Sequence, residues 1–242
     1  MRVLPEQLFR PAQYVEKFLV SAILDGTYPT GASLPSERTL ADQLGVTRPT
    51  LRETLRRLAG QGWITIQHGK PTMVNDFWQE GGLGLLSTLS TYAESLPNGF
   101  ITQLLEVRLT MLPHLARRAA AFQPEKILKC LIQGRNLAEN AQAFSDFDWN
   151  LQMLMARNAK NPIFSMILND FAAVFNKMAL IYFSNKSARQ ASRTFYRELT
   201  RAIENNAGAV EQVVKNAMQQ SIAIWQAVRS HSEEVVPVEQ QA

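Results

Sequence analysis

The segment GVTRPTLRETLRRLAG, residues 45–60, constrains the fold of this chain more than any other stretch. Thr47 is a favourable N-cap for a helix, and Pro49 would fall in the first turn, where backbone N–H groups have no partner within the helix. Side chains three or four residues apart share one helix face, so the segment would bury a stripe of leucines: Leu51, Leu55 and Leu58. The pattern predicts an amphipathic helix that begins at Thr47.

Arginines spaced four residues apart would line a second stripe of this helix: Arg48, Arg52 and Arg56. Such a face can contact a polyanion while the leucines anchor the helix in a small domain. An ordinary solvated surface helix fits the same pattern equally well. The neighbouring segments therefore decide between the two interpretations.

A shorter helix is expected just before this one, and a helix with one apolar face is expected over residues 11–24. Ser36 is a plausible N-cap for the segment SERTLADQL, in which Leu40 and Leu44 would point inward. Gly45 would end that helix in a left-handed conformation, which glycine adopts without strain. Two short helices joined by a tight turn predict a helix-turn-helix, whose second helix normally enters the DNA major groove.

The segment WITIQHGKPTMVN, residues 63–75, predicts a small β-wing after the two helices. Ile64 and Ile66 alternate with their neighbours in the period of two that is typical of a half-buried strand. Residues 72–74 can form the return strand, which Pro71 would restrict to an edge. The bend between the strands would place three residues at the wing tip, within reach of phosphates or the minor groove: His68, Gly69 and Lys70.

Composition favours a globular protein in a reducing compartment. The net charge of the 242 residues is only +4, so any nucleic-acid footprint must be local. Cys130 is the only cysteine, which rules out an intrachain disulfide and a thiolate metal cluster. Neither a signal peptide nor an apolar run of about 18 residues is apparent, so we expect a cytoplasmic protein without membrane attachment.

The run LPSERTLADQLGVTRPTLRETLRRLAGQGWITIQHGKPT resembles the winged helix-turn-helix of the GntR superfamily of transcriptional regulators. The wing TIQHGKPT, the later segment DFDWNLQMLMARNAKNPIFSMILN and residues 221–225 are similar, more narrowly, to the fatty-acid-responsive FadR family. The resemblance covers nearly the whole chain and is densest in its first third. It implies contacts with operator DNA at the matching positions, which are Arg38, Thr47, Arg48, Thr50, Arg52, His68 and Gly69.

The chemistry of these side chains suits that role. Arg48 and Arg52 can donate bidentate hydrogen bonds to guanine O6 and N7, whereas threonine hydroxyls and a helix N-terminus suit phosphate oxygens. Pro49 stands where the family can have threonine. A hydrogen-bond donor is lost there, so we expect some detail of the base readout to differ.

Beyond residue 85 nearly every segment has helical spacing, and none alternates convincingly as a strand does. The approximate predicted helices are 83–93, 99–121, 124–140, 144–158, 162–184, 187–206 and 208–230. We predict a mainly α protein in four parts: a winged helix-turn-helix domain (1–75), a linker (76–84), an all-α effector-binding bundle (85–230) and a loose tail (231–242). The aromatic pair Phe77 and Trp78 should pack against at least one domain.

A bundle of this size can enclose a ligand. Aromatic side chains could line such a cavity or simply fill the core: Phe171, Phe175, Tyr182, Phe195, Tyr196 and Trp225. The resemblance implies a homodimer that binds palindromic operator DNA, and a long-chain fatty acyl-CoA effector whose acyl chain is buried in the bundle. It places these residues at or near the effector: Arg108, Tyr182, Lys215, Ser221 and Trp225.

The last helix departs from the family pattern. Alignment requires a one-residue deletion around Asn206, after which Met218 stands where the family has a glycine close to the ligand. Glycine permits close approach, whereas methionine fills space. A small carboxylic acid therefore remains an alternative effector.

Neither a metal site nor catalysis is expected. A related branch of the superfamily binds a metal through an Asp and three His, but the bundle of this chain offers at most two histidines, His114 and His231. No catalytic motif is present, and an exposed acidic turn accounts for Asp146 and Asp148. An enzyme or acyl carrier with a DNA-binding appendage is the third hypothesis. The resemblance implies instead a regulator that represses fatty-acid degradation genes, activates unsaturated fatty-acid synthesis genes and leaves DNA when acyl-CoA binds.

Overall fold

The computed structural model describes residues 11–92 and 99–234, with side chains as far as Val228. The chain divides into two compact units, Met1–Leu96 and Pro97–Ala242. The described residues are mainly helical, with one two-stranded sheet in the first unit. This confirms the predicted fold class.

The first unit has a three-helix core, a small sheet and two further short helices. Its elements are α1 (Pro11–Leu24), α2 (Glu37–Leu44), α3 (Arg48–Gln61), β1 (Ile64–Thr65), β2 (Met73–Val74), α4 (Phe77–Glu80) and α5 (Leu85–Thr91). Both α1 and α2 pack on α3. This arrangement is the predicted winged helix-turn-helix.

The turn between α2 and α3 has the predicted caps. The Ser36 hydroxyl accepts a hydrogen bond from the Thr39 N–H at 3.2 Å, and the Thr47 hydroxyl accepts one from the Thr50 N–H at 3.4 Å. Gly45 ends α2 with φ +65°, a conformation that favours glycine. These local hydrogen bonds define where each helix starts and stops.

The buried face of α3 consists of the predicted leucines together with Thr54. The leucines are at most 1% exposed: Leu51, Leu55 and Leu58. The Thr54 hydroxyl donates to the Thr50 carbonyl at 3.1 Å, and Arg57 forms an ion pair with Glu16 of α1. With one face anchored in this way, the opposite face of α3 is presented to solvent.

The first strand of the wing is shorter than predicted. β1 ends at Thr65, and Ile66 beyond it is 41% exposed, so the expected inward position of Ile66 was wrong. Trp63 is fully buried instead, with its ring centroid 4.7 Å from that of Phe77. A large aromatic side chain packed on a neighbouring segment thus overrides the period of two.

The return strand is not an edge strand, contrary to prediction. Met73 of β2 pairs with Thr65 on one side and forms a bridge to Ser33 on the other. The Val74 N–H donates to the Ala32 carbonyl at 2.9 Å. Pro71 precedes the ladder, so its missing N–H does not interrupt the pairing.

The segment predicted as a linker, residues 76–84, belongs to the first compact unit. Phe77 is buried against Trp63, which confirms that it packs, whereas Trp78 is 47% exposed. The first compact unit continues through α4 and through α5, whose Leu85 and Leu89 are buried. The short helices thus extend the unit past residue 76, where we expected the linker to begin.

The second unit is an all-α bundle. Its α-helices are α6 (Phe100–Phe122), α7 (Pro124–Gln133), α8 (Ala141–Asn158), α9 (Pro162–Ser184), α10 (Lys186–Asn205) and α11 (Val210–Glu234). Helix α6 packs on α8 and α11, α8 packs on α9, and α10 packs on α11. These contacts surround the interior between the helices.

Two helix ends differ from prediction by four or more residues. Helix α7 stops at Gln133, and a short 3-10 helix follows, Gly134–Asn136. At Gly134 an added Cβ would lie 2.5 Å from Phe147 Cζ, so the backbone there approaches a buried ring closely. Helix α11 runs four residues into the predicted tail, and residues 235–242 lie outside the described part of the chain.

Helix α9 is the one described helix that is long and apolar enough to cross a membrane by length and composition alone. It packs on α8, and Leu168, Phe171 and Val174 are among its buried residues. Part of its apolar surface is therefore used within the bundle.

Candidate nucleic-acid interface and ligand cavity

The exposed face of α3 and the start of α2 form a basic surface on the first unit. The predicted arginines Arg38, Arg48 and Arg52 are exposed, as is Thr47, while Thr50 is half-buried. The N-terminus of α3 lies beside Thr47 and Thr50, and the first backbone N–H groups of the helix can donate hydrogen bonds to phosphate oxygens. The structure therefore presents the predicted helix residues together on one part of the helix-turn-helix.

Arg52 already has an acidic partner in the free protein. Its Nη2 and Nε lie 2.6 and 3.0 Å from Glu37 Oε2, and the hydrogen bonds to Glu37, together with its charge, raise the pKa of Arg52. To donate to a base, Arg52 must divide its N–H groups between Glu37 and the base or break its ion pair with Glu37. Sequence analysis missed this contact, because the two residues lie on different helices.

The wing tip is a tight turn with exposed side chains. The Lys70 N–H donates to the Gln67 carbonyl at 3.2 Å, and Gly69 has φ +71°. His68, Gly69 and Lys70 are all exposed. A short, closed turn of this kind holds a cationic and a hydrogen-bonding side chain at the end of the sheet.

A cavity in the second unit lies between α6, α8, α9, α10 and α11. The cavity is partly open to solvent, and its lining is mostly apolar. Most of the predicted aromatic side chains line it: Phe171, Phe175, Tyr182, Phe195 and Trp225. Tyr196 does not, because it follows Phe195 by one residue on α10 and points about 100° away, into the core.

Arg108 and Asp148 form a buried charged pair in the lining of this cavity. Arg108 Nη2 lies 3.9 Å from Asp148 Oδ2, and the guanidinium lies 5.4 Å from the ring centroid of Phe175. Burial lowers the pKa of Arg108 and raises the pKa of Asp148, and in each case the charge of the partner opposes the shift. The exposed acidic turn that we expected at Asp148 was therefore wrong, although Asp146 is exposed.

Two further side chains donate hydrogen bonds to Asp148. The Tyr196 hydroxyl lies 3.2 Å from Asp148 Oδ1, and Gln152 Nε2 lies 2.5 Å from Asp148 Oδ2. Both contacts act to lower the pKa of Asp148. Gln152, which sequence analysis did not single out, lies one helical turn after Asp148 and also lines the cavity.

The remaining predicted effector residues fall into two groups. Tyr182 and Ser221 line the cavity, and the Tyr182 hydroxyl donates to the Ser221 hydroxyl at 3.4 Å; burial raises the pKa of Tyr182. Met218 also lines it and is 6% exposed. Lys215 is exposed on α11 and is not in the lining, so its contact with an effector stays a prediction.

Comparison with known protein families gives two matches that together cover most of the chain. Residues 75–236 match the FadR C-terminal domain family, and residues 11–74 match the bacterial regulatory proteins of the gntR family. The chain belongs to the FadR family. The two matched stretches meet between residues 74 and 75.

Two relatives of this FadR-family chain are described as "Fatty acid metabolism regulator protein". The one from Shewanella pealeana is 40% identical over 223 residues, which are 90% of this chain and 92% of that protein. The one from Yersinia pestis is 36% identical over 220 residues, with the same shares. Membership of the FadR family makes the chain a transcriptional regulator of fatty acid metabolism rather than an enzyme.

A solved structure supports the fold independently. The structure described as "Lar controls the expression of the Listeria monocytogenes agr system and mediates virulence" superposes with a TM-score of 0.60. It is 15% identical and covers 90% of this chain and 98% of that chain. At this identity the likeness concerns the fold alone.

Within the described residues no group of three or more His, Cys, Asp or Glu is placed to bind a metal ion. Among the polar side chains of the cavity lining, Asp148 contacts Arg108 and Gln152, and Tyr182 contacts Ser221. The cavity lining therefore combines a mostly apolar surface with a few polar side chains.

Proposed function

We propose that this FadR-family regulator binds a palindromic operator as a homodimer and releases it when a long-chain fatty acyl-CoA occupies the helical cavity. The observation that carries the proposal is the cavity itself, which combines a mostly apolar, aromatic lining with the buried cation of Arg108. The relatives described as fatty acid metabolism regulators support it.

DNA recognition is assigned to the basic surface of the first unit. Arg48 and Arg52 read base edges, and Thr47 and Thr50 contact phosphates beside the N-terminus of α3. Arg38 and the three residues of the wing tip extend the contact along the duplex. Arg48 contributes more of the sequence preference than Arg52 does. The reason is that Arg52 is paired with Glu37 in the free protein, and binding a base weakens or breaks that ion pair.

Effector recognition is assigned to the cavity. The apolar lining takes the acyl chain, and each buried methylene contributes about 0.8 kcal/mol, so affinity should rise with chain length until the cavity is filled. Arg108, Tyr182, Ser221 and Trp225, which line the cavity, are assigned to the thioester end. Lys215, exposed on the same helix as Ser221, is available to the phosphates of CoA.

Gating requires a difference in affinity between two arrangements of the protein. The effector must bind the DNA-free arrangement more tightly, since equal affinity for both arrangements shifts nothing. A hundredfold difference in operator affinity corresponds to about 2.8 kcal/mol of coupling free energy. In the cell, this regulator acts in the cytoplasm, represses fatty-acid degradation genes and activates unsaturated fatty-acid synthesis genes.

The proposal is tested by titrating oleoyl-CoA into the complex of the full chain with a palindromic site selected from random duplexes. We expect operator affinity to fall at micromolar oleoyl-CoA. The matched variant is Ala191→Phe, which places a larger side chain in the cavity lining. Ala191 lies on α10 of the second unit, whereas the proposed DNA contacts lie in the first unit. This variant should bind the operator as the natural chain does and should not respond to oleoyl-CoA. Unchanged operator affinity of the natural chain across the titration would remove the gating proposal.

A small carboxylic acid is the second candidate effector. Met218 fills more of the cavity than the glycine of the family pattern would, which favours a smaller ligand. The buried Arg108 is a suitable partner for a carboxylate. A thermal-shift comparison of short carboxylic acids with acyl-CoAs separates the two candidates. Stabilisation by an acid, with none by any acyl-CoA, would favour the second.

A further inference from the structure

Gln152 presents an unusual buried acceptor to the ligand cavity. Its side chain is 3% exposed and lies in the cavity lining on α8. Its Nε2 donates to Asp148 Oδ2 at 2.5 Å, whereas its Oε1 is buried and has no hydrogen-bond partner among the described residues. A buried acceptor without a donor is costly, because it has lost its contact with water.

The orientation of the Gln152 amide follows from its neighbour. A carboxylate oxygen accepts hydrogen bonds only, so the amide nitrogen must face Asp148, and the amide oxygen is left to face elsewhere. The reversed amide would bring two acceptor oxygens within 2.5 Å of each other. The free acceptor is therefore a consequence of the Asp148 contact.

A free donor belongs to the same cluster. Arg108 Nε is buried and has no partner among the described residues, while Arg108 Nη2 lies 3.9 Å from Asp148 Oδ2. Gln152 and Arg108 thus approach one carboxylate oxygen and both line the cavity. A ligand that satisfies both must carry a hydrogen-bond acceptor for Arg108 Nε and a donor for Gln152 Oε1.

We propose that Gln152 selects an acyl thioester with a hydroxyl group close to the thioester, as in a 3-hydroxyacyl-CoA. The hydroxyl donates to Gln152 Oε1, and the thioester carbonyl accepts from Arg108 Nε. A short carbon bridge separates the two oxygens of such a ligand, and the Gln152 and Arg108 side chains both approach the same oxygen, Asp148 Oδ2. This inference rests on the proposed acyl-CoA function of the cavity and names its substrate class more narrowly.

An unmodified acyl-CoA offers the carbonyl but has no donor on its acyl chain. An amide N–H of the pantetheine arm is the competing donor for Gln152. In that case the hydroxyl would bring no advantage, and every acyl-CoA would depend on Gln152 equally. The two assignments therefore predict different ligand preferences.

The test compares palmitoyl-CoA with 3-hydroxypalmitoyl-CoA by isothermal titration calorimetry on the full chain. We expect the hydroxylated thioester to bind about tenfold more tightly or better, which is the typical effect of satisfying one buried polar group. In Gln152→Met, which keeps the side-chain length without an acceptor, this preference should disappear. Thermal melting of the variant without ligand shows whether it is folded.

Met178→Leu is the matched control, because it is an apolar exchange of similar volume in the same lining. It should keep the preference for the hydroxylated thioester. Equal affinity of the natural chain for both thioesters would overturn the inference while leaving the proposed function intact. If neither thioester binds, the proposed function fails too, so the two failures are distinguishable.

Discussion

Replacing Arg108 with methionine removes the positive charge that faces Asp148 inside the bundle. The two charged side chains are only 14% and 11% exposed. Methionine keeps an apolar stem of similar length against Phe175, so the main loss is the charge. The carboxylate of Asp148 is then buried with hydrogen bonds from Gln152 and Tyr196 but without a counter-ion.

Breaking one side of a buried ion pair costs about 3–5 kcal/mol. For a unit of this size, 1 kcal/mol corresponds to about 2–4 °C, so the melting temperature of the bundle should fall by roughly 6–20 °C near neutral pH. Scanning calorimetry of the full chain measures this change. The double variant Arg108→Met with Asp148→Asn removes both charges and should recover most of the loss.

The penalty in the single variant should depend on pH. Burial raises the pKa of Asp148, and loss of Arg108 removes the charge that opposes this shift. A carboxyl group with a raised folded-state pKa costs no stability below its unfolded pKa of about 3.9, and the cost grows as pH rises toward the folded value. The difference from the natural chain should therefore be smaller near pH 5 than near pH 7.

Two results would refute this reasoning. One is a single variant that melts within about 2 °C of the natural chain near neutral pH, which would show that the pair contributes little. The other is a double variant that is no more stable than the single one. In that case, the loss would come from packing around Arg108 rather than from an unpaired carboxylate.

Three further predictions concern separate parts of the chain. Arg48→Ala should cost about 1–3 kcal/mol at the selected operator and relax its sequence preference, measured by competition binding; an equal loss on all duplexes would make Arg48 a phosphate contact. Gly134→Ala should destabilise the bundle by about 1–3 kcal/mol in thermal melting, because the new Cβ meets Phe147; unchanged melting would show that the ring can move. Thr47→Ala should destabilise α3 by about 1 kcal/mol through loss of its cap, whereas Thr47→Ser should not, as judged by urea unfolding.

The helix-turn-helix was predictable because its determinants are local. The caps at Ser36, Gly45 and Thr47 act within a few residues, and the leucine stripe of α3 is a periodic signal along one segment. The ends of the wing strands were less predictable. Strand β2 pairs with Ser33, which lies about 40 residues earlier in the chain, and no local pattern indicates that partner.

The cavity of the helical bundle shows the same division. Periodicity predicted the helices, and the family resemblance pointed to Arg108, Tyr182, Ser221 and Trp225, but neither separated Phe195, which lines the cavity, from Tyr196, which does not. The side on which an aromatic residue falls depends on the rotation of its helix against its neighbours.

The amino-acid sequence by itself determined which segments become helices, where α2 and α3 are capped and which side chains of α3 stay in water. Tertiary structure alone decided that Asp148 is buried, that Arg108 from α6 and Tyr196 from α10 face it, and that Gln152 keeps a free acceptor. The physical reason is range. Caps and periodicity act over a few residues, whereas two partners of the buried Asp148 carboxylate, Arg108 and Tyr196, lie about 40 or more residues away, and only the packed bundle brings them within reach.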